Sequence, residues 1–353
     1  MTDFDSILKP FWQQSEIDSY RFPDLYYSFC SGNGSVFYPL YEEKFIGIQK
    51  RDSCTFDLQT MFVPKSTDLS NQIPSLIITV PVKKNGNSYK LCNAFTNNRS
   101  TLKSYTLSNI KYYYAVGYSF NYEQAKKLDE RIKLFKQDFD ISYNGQITYL
   151  TGDNLTQITK WFGIDFYEYD FLSIGSSIEG RTIPNNNMVL SGGGGENYFH
   201  EIIHMILKQY KSNRGEYPYF EEGIACYYGE HIGHLYSFHV RRLKEYLNQN
   251  KWIDLSRSLE GYYMNNEKTK NYNHEQKENI FYRYRDDNTN YIYIVHAVLC
   301  EIAFRQGGVK KVKEILLSKT DNEKEFYEII QKGLGIQQKD MNTFIRNYIN
   351  QNF

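Results

Sequence analysis

Residues 199–210 read FHEIIHMILKQY and set His200, Glu201 and His204 in the order His-Glu-x-x-His. An α-helix turns 100° per residue, so positions four apart stack on one face. Two imidazoles placed in this way can each offer a nitrogen to one cation. Zinc–nitrogen bonds of roughly 2.0–2.1 Å suit ligands held on a rigid helix. Glu201, about 100° round from His200, projects beside such a cation and is suited to take a proton from an attacking water. With seven histidines in 353 residues, a chance match has odds on the order of one in a hundred. HEQKE at 274–278 is an internal comparison: Glu278 stands where the second histidine should be, among polar neighbours, and the stretch reads as surface.

A catalytic zinc site takes three protein ligands and keeps a fourth position open. The extended pattern H-E-x-x-H-x-x-G-x-x-H fails, because Leu207 stands at its glycine and Tyr210 at its third histidine. No aspartate occurs between 205 and 230, which leaves Glu216, Glu221, Glu222 and Glu230. In YPYFEEGIACYYGE, Pro218 suits the first turn of a helix. Helical spacing then gives Glu222 a face shared with Ala225, Cys226 and Gly229, small residues that permit close approach to the His200 helix. Glu221 shares its face with the larger Ile224 and Tyr228. Close approach favours Glu222 as the third ligand, and Glu230 reads as surface. His231 and His234 have a spacing that could ligate, but a solvated helix end is the expectation. His234 and His239 are too far apart for one helical face, and His296 is a candidate supporting donor.

The elements that must position these residues are partly legible. Ile203, Ile206, Leu207 and Tyr210 form an apolar stripe that would bury the metal helix. Upstream, TFDLQTMFV alternates with the period of a strand, and the runs on either side of Asn85-Gly86 predict a hairpin. NIKYYYAVGYSF, QITYL and NNMVL read as strands. Residues 122–139 read as an amphipathic helix, and 153–163 as a short helix capped by Asp153 or Asn154. The glycine run Gly192–Gly195 lacks the Gly-Lys-Ser/Thr ending of a phosphate loop and reads as a connector. From 199 the pattern is mainly helical, interrupted by a polar, asparagine-rich loop at 264–279. The fold class is therefore α+β, with a β-rich domain at 1–110 and a second domain at 111–353.

His-Glu-x-x-His followed by Glu222-Gly223-Ile224-Ala225 resembles the gluzincin metallopeptidases, in particular the aminopeptidase-N-like branch of the thermolysin-like superfamily. The resemblance covers roughly residues 110–353 and implies a thermolysin-like domain, with a small sheet and a mainly helical C-terminal half. It implies one zinc ion per chain on His200, His204 and Glu222. The implied reaction is hydrolysis of peptide bonds by a metal-activated water, with Glu201 as general base. YIYIVHAVLCEIAFRQGGVKKVKEIL is similar to the helix that follows the zinc site in this family, which implies Tyr293, or else Tyr291, as an oxyanion donor. Ile292, Val295, Leu299 and Ile302 would be buried, while Tyr293, His296 and Cys300 would face a cleft. By the same analogy NNMVL would be an edge strand able to pair with an extended peptide. The family's Gly-x-Met-Glu-Asn stretch has no counterpart in the equivalent place, since GGGGEN ends only three residues before His200. Endo- and aminopeptidase activity thus both stay open.

Composition bounds the alternatives. Hydrophobic residues make up 41% of the chain, enough for a sizeable core. Lys+Arg and Asp+Glu total 41 each, and no basic stripe stands out, so nucleic acid is not an expected partner. No run of 18 apolar residues predicts a transmembrane segment. The five cysteines are scattered, without C-x-x-C spacing, and Cys226 and Cys300 sit in apolar helical patterns that predict burial. The first residues, MTDFDSILKPFWQQ, lack the apolar core of a signal peptide. A cytoplasmic protein and one relieved of its export signal both fit, and the analogy with degradative zincins favours a secreted or periplasmic location. The expected partner is a peptide or protein substrate, glycosylated or cell-wall peptides included. The alternative is a catalytically inactive, zincin-like binding module for peptide or glycan, for which an intact Glu201 would have no use.

Overall fold

The computed structural model describes residues 10–15, 41–65, 74–167, 179–183, 187–208, 210, 217–251, 253–259, 285–286 and 289–353. Cys30, Glu216, HEQKE at 274–278 and the loop at 264–279 lie outside the described residues. Two units share the chain: Met1–Tyr122 with Gly145–Glu196, and Glu123–Asn144 with Asn197–Phe353. The first unit holds residues 111–122 and 145–196, which the sequence reading assigns to the segment after 110. The structure is mixed α and β, with sheets in the first unit and a helical C-terminal half.

In the first unit β1 (Tyr41–Lys50), β2 (Thr55–Pro64), β3 (Leu76–Asn85) and β4 (Ser88–Leu91) form an antiparallel meander. β8 (Ile164–Tyr167) pairs with the start of β3. The period-two pattern of β2 turns Thr60 and Phe62 into the core. The β3–β4 hairpin forms one residue later than Asn85-Gly86 predicts. Asn85 pairs with Ser88, so Gly86 and Asn87 make the loop. Gly86 takes a φ of 60° while Asn87 stays negative, the arrangement that puts glycine first in a type II′ turn.

A second sheet has the order β5 (Lys103–Leu107), β6 (Ile110–Tyr114), β7 (Ile147–Gly152), β10 (Met188–Gly192), β9 (Glu179–Ile183). β10 runs parallel to β7 and antiparallel to β9. NNMVL is therefore an inner strand, hydrogen-bonded on both sides, and not the edge strand that the resemblance implies. The edge is β9, whose polar EGRTI hides the strand pattern. Phe62, Leu76 and Ile164 of the first sheet join Leu150, Met188 and Leu190 of the second in one core. α1 (Ala94–Asn98) adds Phe95, and α3 (Leu155–Trp161) adds Leu155, Ile158 and Trp161. Each such side chain, fully buried, contributes roughly 1.5–3 kcal/mol. Asn154 caps α3 by accepting from the Gln157 N–H at 2.8 Å. A Cβ on Gly192 would strike the backbone of Leu155, and Gly193 has a φ of 75°. The glycine run is thus a tight exit from β10, set by packing.

The second unit gathers α2 (Tyr122–Asp138) from Glu123 on, α4 (Phe199–Leu207), α5 (Tyr219–Tyr228) and α6 (Tyr236–Gln249). It continues with α7 (Tyr291–Leu316), α8 (Glu323–Leu334) and α9 (Met341–Asn352). Short ribbons join β11 (Glu230–His231) to β12 (His234–Leu235) and β13 (Arg285–Asp286) to β14 (Thr289–Asn290). α2 buries Ala125, Leu128, Ile132 and Phe135, one helical stripe. α7 breaks at Gly307-Gly308, where Gly308 has a φ of 63°. By length and composition α7 is apolar enough to cross a membrane, yet 61% of that stretch is buried inside the protein. It packs on α5, α6 and α8, as a core helix does.

Candidate metal centre

α4 is more deeply set than its apolar stripe suggests. Every residue from Phe199 to Leu207 except His204 is buried. A helix apolar on nearly all sides belongs in a core, and here the core fixes the two histidines. Tyr210, beyond the end of α4, donates its hydroxyl to the Phe139 carbonyl at 3.2 Å.

α5 lies against α4 and, more extensively, against α7. Two glycines permit this. A Cβ on Gly229 would stand 3.1 Å from the Cα and N of His200. A Cβ on Gly223 would stand 2.5 Å from the carbonyl carbon of His296. Gly229 therefore brings α5 to α4, and Gly223 seats it on α7.

Three ligand atoms converge at this crossing. His200 Nε2 and His204 Nε2 are 3.3 Å apart, and Glu222 Oε2 lies 3.4 Å from each. A tetrahedral ion with bonds of 2.0–2.1 Å separates its ligands by about 3.3–3.4 Å. The triangle has that edge length, and two imidazoles with one carboxylate are a donor set that suits zinc. His200 is buried, while the His204 and Glu222 side chains keep 15% and 21% exposure, so one side stays accessible. Burial works against the charge on Glu222. The two imidazoles, His204 foremost, outweigh it and hold this carboxyl well below the usual carboxylate range.

Glu221 also belongs here. Its Oε1 accepts from His204 Nδ1 at 2.7 Å, which leaves Nε2 with its lone pair toward the triad. A carboxylate behind a metal-facing histidine fixes the ring and raises its basicity. The signal was the Glu-Glu doublet itself: adjacent helical residues point about 100° apart and reach two sides of one ring. Glu201, next to His200 on α4, is 8% exposed.

Arg131 of α2 ties these elements together. It donates to Glu230 Oε1 at 2.9 Å, to Asn197 Oδ1 at 3.2 Å and to the Tyr228 carbonyl at 3.2 Å. Its guanidinium lies 4.6 Å from the centre of the Phe199 ring. One side chain thus holds the approach to α4 and the end of α5. Glu230 is correspondingly a partly buried ion-pair partner and not a free surface residue, and it is not among the ligand atoms of the triad.

The remaining candidates separate. Tyr291 is buried and stacks on Tyr246 at 4.1 Å. Tyr293 is partly exposed, with its ring 5.7 Å from His231 and 6.4 Å from Tyr219. His231 in turn lies 5.7 Å from His200. His296 and Cys300 are fully buried and face no cleft. His296 donates from Nδ1 to the Ile292 carbonyl at 2.9 Å and meets the Tyr217 hydroxyl through Nε2 at 2.9 Å. Burial pushes its pKa down to about 4. His231 is buried in β11 and is not a solvated helix end. His239 donates to its carbonyl from Nε2 at 2.6 Å, and burial holds His239 at about 4 as well. His234 is partly buried and stacks on Phe238 at 4.0 Å. Cys92, Cys226 and Cys300 are buried, and Cys54 is exposed.

No model of a known protein family matches the sequence, and comparison with curated proteins gives no match.

Proposed function

We propose that this chain is a zinc-dependent peptidase of gluzincin type, with one zinc per chain on His200, His204 and Glu222. The observation that supports it is the triangle of Nε2, Nε2 and Oε2, whose edges of 3.3–3.4 Å match a tetrahedral zinc site open on one side. We read residues 111–353 as its thermolysin-like part.

A bound zinc ion supplies Lewis acidity, polarising a carbonyl and lowering the pKa of water to roughly 7. Glu201 takes the proton of the attacking water as general base and returns it to the leaving amine. Glu221 keeps His204 in the tautomer whose Nε2 faces the triad. Tyr293, the partly exposed tyrosine of its pair, donates its hydroxyl to the developing oxyanion. The substrate is a peptide or protein.

Elemental analysis and turnover of a peptide library test this reading together. The wild type is expected to hold about one zinc per chain, Glu201→Gln to keep the metal without turnover, and His200→Ala to lose both. Full turnover by Glu201→Gln, or a wild type that takes up no zinc, would overturn it.

A further inference from the structure

A second set of candidate ligand atoms shares His200 with the triad. Cys226 Sγ, a nitrogen of His231 and a nitrogen of His200 lie within 4.8 Å of one another, and all three residues are buried. His200 is 4% exposed, and its Nδ1 has no hydrogen-bond partner among the described residues. The second nitrogen of a metal-bound histidine almost always donates to a carboxylate, a carbonyl or water. His204 follows that rule through Glu221, and His200 does not. Beside this ring lie a thiol and a second imidazole, the donors that soft and borderline cations prefer, and a metal on His231 would displace the bond that its Nε2 accepts from the Asn290 N–H at 3.3 Å.

We propose that His200 Nδ1, Cys226 Sγ and His231 form a second cation position for a thiophilic metal, so that His200 bridges two ions. The inference rests on the metal reading above for one point, the commitment of His200 Nε2 to the first ion. Binding at the second position releases two protons. The Cys226 thiol loses one as the sulfur–metal bond forms. His200 Nδ1 loses the other as the ring becomes a bridging imidazolate. Zinc–sulfur bonds of about 2.3 Å require the three atoms to draw together slightly from their present spacing. Cys226 sits one turn along α5 from Glu222, so the same helix face serves both positions.

The test is a cadmium titration of the full chain carrying Cys30→Ser and Cys54→Ser, which removes the exposed thiol Cys54 and the thiol outside the described residues. The readouts are the near-ultraviolet thiolate-to-cadmium charge-transfer band and proton release. Two equivalents are expected, with the band and two protons accompanying one of them. Adding Cys226→Ser is expected to abolish the band and that equivalent while retaining the other, which also shows that the variant folds. His231→Gln, which keeps the thiol, is expected to weaken the sulfur-ligated equivalent at least ~10-fold. One equivalent without a band, a band that survives Cys226→Ser, or a His231→Gln variant that binds like its parent would each overturn the second position alone. No cadmium binding at all would overturn the triad reading with it.

Discussion

Glu221 and His204 make a short polar contact at the candidate metal centre: Oε1 lies 2.7 Å from Nδ1, on the ring edge opposite the triad. Its neighbour Glu222 faces Nε2 of the same ring at 3.4 Å. Two consecutive glutamates therefore meet one imidazole from both sides, Glu221 at Nδ1 and Glu222 at Nε2, the arrangement of an orienter and a ligand in the proposed zinc site. Without Glu221 the His204 ring can rotate, and its Nε2 loses basicity. Glu221→Gln is expected to weaken zinc binding by about 10–100-fold with little change in secondary structure. Competition against a chromogenic chelator measures the affinity, and an unchanged dissociation constant would show that the contact is incidental.

Arg131 links parts of the second unit that are distant in sequence. Losing it frees Glu230, Asn197 and the Tyr228 carbonyl at once and uncovers the Phe199 ring. Hydrogen bonds to charged groups contribute roughly 1.5–3 kcal/mol each when partly buried, and the set is not additive. Arg131→Met is expected to cost about 2–3 kcal/mol in urea unfolding. It should also lower zinc affinity, because the start of α4 and the end of α5 loosen together. A double-mutant cycle with Glu230→Gln should return a coupling of about 1 kcal/mol, and zero coupling would reassign the effect to the other partners.

The site was legible where it is local. His200, Glu201 and His204 lie on one helix as periodicity predicts, and Gly229 lies against His200, the close approach that the small residues of α5 predict. What was not legible depends on which side of a ring a side chain reaches. The choice between Glu221 and Glu222 treated them as rivals, whereas adjacent helical positions allow both to touch His204. Arg131 was hidden for a different reason: its partners lie in segments that only tertiary packing brings together. In the sheets, β2 follows from apolar alternation, and β7 and β10 from short strand-like apolar runs. β9 escapes because EGRTI is polar, and without it β10 looks like an edge. His296 and Cys300 share a face with Tyr293 by spacing, but α5 and α8 cover that face.

Gly223 is a test of how closely α5 must sit on α7. A Cβ there would stand 2.5 Å from the His296 carbonyl carbon and 2.7 Å from its oxygen. Both are backbone atoms, so no side chain can rotate away, and the helices must separate. Overpacking of this kind costs about 1–3 kcal/mol. Gly223→Ala is expected to lower the melting temperature and, since Glu222 is the preceding residue, to weaken zinc binding as well. A variant with wild-type stability and affinity would mean that the crossing is looser than the structure shows.

His296 should make the metal-free protein sensitive to mild acid. It is fully buried, and burial lowers its pKa to about 4, below the roughly 6.5 of an unfolded histidine. The sign follows from proton uptake: between pH 6.5 and 4 the unfolded chain binds a proton that the folded chain refuses, so stability rises with pH across that window. The contribution is complete above about 6.5, declines on acidification and levels off below about 4, a span worth on the order of 3 kcal/mol. Urea unfolding in the presence of a chelator, at several pH values, isolates this from metal release. His296→Asn has no titrating ring at this position and is expected to flatten the profile, though at lower absolute stability because the bond to Tyr217 is lost. If the variant keeps the wild-type slope, the acid sensitivity belongs to another buried group, and His239, held at about 4 by burial, is the one to substitute next.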